Sequence, residues 1–107
     1  MNIPFKQVFA LNGLVTYRDH QITSRTLAGD DHLDLILYAM DSDESISRES
    51  SPHHKTIYVT DGQLKIQIDR ESFAIKEGEF LRIEKNIVHS IEALGKCKFV
   101  QLNYMNE

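Results

Sequence analysis

The sequence has no tryptophan, one cysteine, two prolines and five glycines in 107 residues. Because Cys97 stands alone, the chain cannot form an internal disulfide, and we expect a reducing, cytoplasmic environment. No apolar run approaches the roughly 20 residues that cross a bilayer as a helix, so we expect no membrane association. Residues 1–6 lack the charged start and apolar stretch of a signal peptide.

The chain also lacks an excess of basic residues. Its 12 Lys and Arg against 16 Asp and Glu give a net charge of −4, and the two signs are interspersed. Without a basic stripe to neutralise phosphates, we expect no nucleic-acid partner. A glycine-rich phosphate loop, a nucleophile elbow and a cysteine pair with zinc spacing are missing as well. None of these motifs is therefore present to indicate a catalytic activity.

What the sequence does contain is a series of short β-type segments, clearest between residues 55 and 89. Runs rich in Ile, Val, Tyr and Phe are interrupted at Asp61-Gly62, Asp69-Arg70-Glu71, Glu77-Gly78 and Glu84-Lys85-Asn86. β-branched and aromatic residues favour strands, and the residues at the interruptions tolerate tight turns. We interpret Asp61-Gly62 as a two-residue hairpin turn. This spacing is typical of an antiparallel sandwich or barrel.

Further strands are expected at residues 21–28, 32–40 and 97–104, which gives about eight, with a long polar loop at 41–52. Residues 1–13 differ, because Phe5, Val8 and Phe9 have helical spacing. There we expect a short helical segment or arm, whose apolar face is covered by the sheet or by a second copy. The sequence thus predicts one all-β domain, residues 1–107, with an arm at 1–13 and a barrel at 21–104.

The order of these residues resembles the cupin family. Gly62 and the strand before it match the end of the family's first motif. Gly78 and His89 match the second motif in spacing, with Glu84 and Asn86 in place of its proline and glycine. The resemblance covers residues 36–103 and implies a small jelly-roll barrel, or double-stranded β-helix. Because such proteins are often dimers, it also implies a homodimer.

The resemblance implies a metal site made by two histidines, a glutamate and a later histidine. In this chain Glu49 and Ser51 fall where the first two histidines belong. Lys55 replaces the glutamate, and His89 is kept. An ammonium repels a divalent cation at close range, so we expect no cofactor. The alternative is a divalent transition metal held by Glu49, His54 and His89.

Three functions stay open at this point. The changed ligands favour a protein that binds a small molecule inside the barrel and is not a typical metal-dependent dioxygenase. The second is an enzyme, either metal-dependent or a metal-free, isomerase-like one that uses His89 and Lys55 as acid and base. The third is a dimerisation module. The residues predicted to line the pocket are Lys55, Ile57, Val59, Leu64, Ile66, His89 and Ile91, whereas Tyr58 is predicted to point outward.

Overall fold

The structure, a computed structural model, describes residues 2–105, and its regular elements are almost all β-strands. The nine strands are β1 Ile22–Gly29, β2 Leu33–Met40, β3 Ser45–Glu49, β4 His54–Asp61, β5 Gln63–Ile68, β6 Glu71–Lys76, β7 Phe80–Ile83, β8 His89–Ala93 and β9 Cys97–Tyr104. Between residues 2 and 105, no helix is long and apolar enough to cross a membrane. The predicted all-β class is confirmed.

The strands form two antiparallel sheets that pack face to face as a jelly roll. Sheet A has the order β1-β2-β9-β4-β7, and sheet B has the order β3-β8-β5-β6. Alternation along each strand sends every second side chain inward. The core between the sheets includes Ile57 and Phe99 from sheet A and Leu64, Ile66 and Ile91 from sheet B, each 0% exposed.

The polar stretch 41–52, predicted as a loop, contains strand β3. This strand lies at the edge of sheet B beside β8. An edge strand leaves one side of its backbone without a neighbour and commonly carries polar residues there. Its composition therefore resembles that of a loop, which explains the missed strand. Residues 2–105 thus contain nine strands rather than about eight.

The predicted hairpin turn at Asp61-Gly62 is wrong. Strands β4 and β5 belong to different sheets, and the chain crosses from sheet A to sheet B at Gly62. Gly62 has a φ of +73°, and a Cβ atom there would overlap the carbonyl oxygen of Lys96. The glycine is needed for a corner between sheets, where the backbone is left-handed and another segment passes close by.

A short helical segment or arm was predicted over residues 1–13, and the described part of this segment forms only one 3₁₀ turn, Leu11–Leu14. The chain after this turn covers part of the outer face of sheet A, since Val15 packs with the buried Leu37 of β2. Lys98 of β9 fixes the segment by donating a hydrogen bond from Nζ to the carbonyl oxygen of Asn12 at 2.7 Å.

In the second half of β9, after the buried Phe99, the two faces carry the reverse of the usual polarity. Val100 and Leu102 point outward, whereas Gln101 and Asn103 point into the barrel, opposite Ile57 and Lys55 respectively. Polar groups inside a barrel need partners or a ligand. An apolar outer face needs a cover. The interior of the barrel is therefore polar at this end, and the outer surface of sheet A beside it is apolar.

Candidate functional site

Three side chains from three strands meet at one end of the barrel interior. Lys55 lies in β4 of sheet A, and Glu49 and His89 lie in β3 and β8 of sheet B. Lys55 Nζ is 3.0 Å from His89 Nε2 and 3.2 Å from Glu49 Oε2, and these last two atoms are 3.7 Å apart. We call this group the Glu49–Lys55–His89 triad. Motif spacing had placed all three residues at ligand positions of the family.

Strand alternation directs Lys55 inward. Lys55, Ile57 and Val59 of β4 are 4%, 0% and 0% exposed, whereas Tyr58 between them is 42% exposed. The neighbouring aliphatic side chains anchor the strand against the core. This alternation therefore places the Lys55 ammonium inside the barrel. It also confirms the outward orientation predicted for Tyr58.

A β-bulge brings Glu49 to the site. Ile46 lies opposite Ile91, so regular alternation would place Arg48 opposite His89. The bulge between Ile46 and Glu49 puts Glu49 there instead. The Lys55 ammonium consequently meets a carboxylate. The Glu49 side chain is 42% exposed and that of Lys55 is 5% exposed, so Glu49 lies between the Lys55 ammonium and the solvent.

The hydrogen bonds of His89 define its tautomer. His89 Nδ1 is 3.0 Å from the carbonyl oxygen of Ile87, which can only accept, so Nδ1 carries a proton and donates it. Nε2 of the neutral ring is then the acceptor for the Lys55 ammonium. Lys55 and His89 are 4% and 2% exposed. The pair can exchange a proton and can offer positive charge to a ligand.

Gln101 and Asn103 extend the polar end of the barrel, and sequence reasoning missed both. Gln101 is 6% exposed and donates a hydrogen bond from Nε2 to Asn103 Oδ1 at 3.1 Å. Asn103 lies opposite Lys55 in the sheet, and Asp34 of β2 lies opposite Asn103. Alternation along β9 puts the two amides on the same side of the strand as the buried Phe99. This alternation was the sequence signal from which Gln101 and Asn103 could have been identified.

Tyr38 of β2 also faces the interior. Its ring stacks on Phe99 with 5.0 Å between the ring centroids. Burial raises the pKa of Tyr38, and the negative charges of Glu49 and Asp34 raise it further. Its hydroxyl therefore stays protonated at neutral pH and is a hydrogen-bond donor at this end of the barrel.

The residues predicted to line the pocket all lie on the inner faces of the sheets. The five aliphatic members, each 0% exposed, are Ile57, Val59, Leu64, Ile66 and Ile91. They pack against one another in the core and form a floor beneath the triad. A cavity of ≈ 280 Å³ has His89 in its wall, but Gln67 and Ser90, which also line it, face the outer side of sheet B, so this cavity is not inside the barrel. Contact between these residues and a ligand stays a prediction.

The structure does not bring His54 to Glu49 and His89. His54 precedes Lys55 in β4 and so points to the outer face, where its ring lies 5.5 Å from that of Tyr104. Its Nδ1 accepts a hydrogen bond from the backbone N–H of Lys85 at 3.2 Å. Across residues 2–105, no three His, Cys, Asp or Glu side chains are grouped to hold a metal ion. One imidazole, one carboxylate and an ammonium do not fit a divalent cation.

Residues 36–102 match the sequence profile of the cupin domain. A conserved protein of unknown function from Streptococcus pyogenes is 26% identical, with a TM-score of 0.92 over 100% of this chain and 94% of that one. A cupin superfamily protein from Desulfitobacterium hafniense is 23% identical, with a TM-score of 0.92 over 99% of this chain and 97% of that one. No curated protein sequence matches significantly.

A third structure is a cupin 2 conserved barrel domain protein from Leptotrichia buccalis. It is 26% identical, with a TM-score of 0.87 over 91% of this chain and 47% of that one. The profile match at residues 36–102 spans more than half of the chain and includes the three triad residues. On this match, the chain belongs to the cupin family.

Proposed function

We propose that this cupin binds a small molecule at the Glu49–Lys55–His89 triad, with no metal ion there. One observation carries the proposal: the Lys55 ammonium lies among the family's ligand positions, 3.0 Å from His89 Nε2 and 3.2 Å from Glu49 Oε2. A tethered ammonium supplies positive charge and repels a second cation at close range. Of its three N–H donors, two have these partners, so a ligand can accept from the third.

The surroundings of the triad favour a small, polar ligand. The aliphatic side chains fill the core beneath the triad, and barrels of this size hold one small ligand at most. Gln101 and Asn103 offer amide groups on the same inner face as Lys55. A few fixed polar groups above an apolar floor are the usual means of orienting a ligand.

The proposal is tested by elemental analysis of untagged protein and by mass spectrometry of the small molecules that denaturation releases. We expect a released molecule and less than stoichiometric metal. Lys55→Met should lose the molecule, whereas Lys65→Met should keep it, because Lys65 is an exposed lysine paired with Glu92 at 3.3 Å. Stoichiometric metal that disappears in His89→Ala would overturn the proposal.

A second candidate is a metal-free enzyme that moves a proton. The hydrogen bond between Lys55 Nζ and His89 Nε2, inside the barrel, favours it, since such a pair can take a proton from one carbon and return it to another. The test is exchange of substrate C–H hydrogens with deuterium from D₂O, followed by NMR across a set of small hydroxycarbonyl compounds. Exchange lost in both His89→Gln and Lys55→Met would support it, and unchanged exchange in these variants would exclude it.

We further propose that the protein is a homodimer that pairs through the outer face of sheet A. Phe80 of β7 and Tyr58 of β4 are 62% and 42% exposed and lie opposite each other in neighbouring strands. Phe5 and Val8 of the N-terminal segment are 95% and 97% exposed, although their spacing predicted a covered face. A two-fold contact would cover these apolar side chains in both copies at once. Sedimentation analysis should therefore give twice the mass of the chain.

We also propose a cytoplasmic location. Its support is Cys97, a single thiol that is buried and has no second cysteine to pair with in the sequence. Fractionation of cells that express the protein should recover it with cytoplasmic markers, and recovery outside the cytoplasm would contradict this.

A further inference from the structure

The chemistry open to Lys55 extends beyond a charged contact. Among residues 2–105, Lys55 is the one buried lysine, at 4% exposed. Its amine faces the unprotonated Nε2 of His89 at 3.0 Å, and the bond from Nδ1 to the Ile87 carbonyl fixes that tautomer. A lysine nitrogen becomes a nucleophile when an adjacent base takes its proton. His89 is positioned to be that base.

Glu49 provides both a counter-ion and a route to the amine. Its carboxylate is 3.2 Å from Lys55 Nζ, and its side chain is 42% exposed. A half-exposed carboxylate in an edge strand can rotate toward water without unpacking the core. Such a rotation would open the space around Nζ to a small molecule, while His89 and the aliphatic floor stay in place.

We propose that Lys55 forms a reversible imine with a small, polar aldehyde or ketone, an inference that rests on the proposed binding site. The Lys55 ammonium gives a proton to His89 Nε2, and the freed nitrogen lone pair attacks the carbonyl carbon. A C–N bond forms, and the C=O π pair moves to oxygen, which takes the proton from His89. The product is a carbinolamine in which nitrogen is still positively charged.

Loss of water completes the imine. His89 takes a second proton from nitrogen and passes it to the hydroxyl, which leaves as water while the nitrogen lone pair forms the C=N bond. Two of the three ammonium hydrogens leave in the water, and the third stays on the iminium nitrogen. The net charge of +1 is unchanged, so Glu49 stays its counter-ion. No oxidant or reductant is needed in this step.

The class of carbonyl compound follows from the charges nearby. Glu49 and Asp34 already place two carboxylates at this end of the barrel, against the single positive charge of Lys55. A neutral compound avoids a third negative charge. The amides of Gln101 and Asn103 favour hydroxyl groups next to the carbonyl. Short hydroxyaldehydes and hydroxyketones fit these features.

The experiment treats the full-length protein with glycolaldehyde and sodium cyanoborohydride, which reduces an imine to a stable amine, and locates the adducts by peptide mass spectrometry. Lys65 is an internal control, because it also pairs with a glutamate at 3.3 Å but is exposed and belongs to no such triad. We expect Lys55 to be labelled faster than Lys65 despite its burial. His89→Gln should slow labelling of Lys55 on the order of 100-fold, the usual size of acid–base assistance, and leave Lys65 unchanged.

Labelling of Lys65 with Lys55 unmodified in the folded wild-type protein would overturn the imine proposal. Equal slowing of both lysines in His89→Gln would also overturn it. Lys55→Arg keeps the positive charge but cannot form an imine, so it separates the two proposals. If the released small molecule persists in Lys55→Arg and no adduct forms in the wild type, binding stands and the imine fails. If Lys55 is labelled in preference to Lys65 but no molecule is released from the wild type, the imine stands, and what fails is only the expectation that the purified protein retains a ligand.

Discussion

Lys55 carries a positive charge to a position that is 4% exposed. An unpaired charge in such a place would cost several kcal/mol. Glu49 and His89 offset that cost through one ion pair and one hydrogen bond. The three side chains are therefore mutually dependent, and exchange of the ammonium for a metal ligand should change what the site can bind.

We expect Lys55→His to create a metal site that the parent protein lacks. The substitution would join a second imidazole to Glu49 and His89 and remove the repelling charge, giving two histidines and a carboxylate. Titration calorimetry with Zn²⁺ or Ni²⁺ should show one ion bound per chain. Lys65→His, at an exposed position beside Glu92, is the control and should bind no more than the parent. Equal metal binding by Lys55→His and Lys65→His would mean that the side chains at positions 49, 55 and 89 do not lie close enough together to bind one ion.

Cys97 should be inert in the folded protein. It is 0% exposed, and burial, together with the negative charge of Asp61, raises the pKa of the thiol from 9.0 to about 11. Because only the thiolate reacts, iodoacetamide should leave Cys97 unmodified at pH 8 until a denaturant unfolds the chain. Rapid alkylation without denaturant would contradict the burial.

The same pKa shift predicts a loss of stability in base. The folded state holds the Cys97 proton more tightly than the unfolded state, so its contribution to stability is complete below pH 9. That contribution should decline as the pH rises from 9 toward 11. Urea midpoints of the parent and Cys97→Ala, measured across this interval, should fall more steeply in the parent.

At the scale of elements, the corner at Gly62 connects the two sheets. A side chain there must adopt a φ of +73° and displace the carbonyl of Lys96, in the turn before β9. We expect Gly62→Ala to lower the free energy of unfolding by about 2–4 kcal/mol, from backbone strain and overlap together. Chemical denaturation measures the difference.

Gly78→Ala is the matched control for the corner. Gly78 also has a positive φ, +90°, but no atom lies within 4 Å of a Cβ placed on it. We expect Gly78→Ala to lower the free energy of unfolding by about 1–2 kcal/mol, from backbone strain alone. Equal losses in the two variants would show that contact with the Lys96 carbonyl adds nothing.

The sequence predicted those elements whose composition and alternation agree with their surroundings. β9 was predicted with the bounds that the structure has, Cys97–Tyr104. β3 was missed because an edge strand can be as polar as a loop. Gly62 was recognised as a turn residue, but local sequence does not show whether the strands that flank a turn share a sheet.

Within the site, the motif spacing identified Glu49, Lys55 and His89 and paired Lys55 with His89, but it did not predict the contact between Lys55 and Glu49. The inward position of Glu49 depends on a bulge, which shifts alternation by one residue and leaves no clear mark in the sequence. His54 was included as a residue of the loop that carries Glu49, next to the predicted strand, but it belongs to β4, where it faces the opposite way from Lys55. Gln101 and Asn103 were detectable from alternation, but polar residues inside a barrel contradict the usual pattern.

At the scale of the whole molecule, the proposed dimer depends on the outer surface of sheet A. Phe80→Glu would place a charge in the proposed two-fold contact, where Phe80 is 62% exposed in the single chain. We expect the dimer dissociation constant to rise at least about 30-fold, which corresponds to the roughly 2 kcal/mol of an interface hot spot. Sedimentation over a range of concentrations measures it.

Leu94→Glu provides the comparison for Phe80→Glu. Leu94 is 38% exposed but follows β8 of sheet B, away from the proposed contact. This variant should stay dimeric with an unchanged dissociation constant. A monomeric parent at every concentration would contradict the dimer, and equal weakening in both variants would place the contact elsewhere.

The central place of β9 in sheet A has a consequence for how the protein reaches its native state. β9 lies between β2 and β4, which do not pair with each other, so the two halves of sheet A stay apart until residues 97–104 arrive. During translation, most of the chain must leave the ribosome with the edges of β2 and β4 unpaired. Closure then waits for contacts between residues distant in sequence, which makes such topologies slow to form. Until sheet A closes, the edges of β2 and β4 stay unpaired. Chaperones can bind the chain in this state, and newly made chains can pair wrongly with each other.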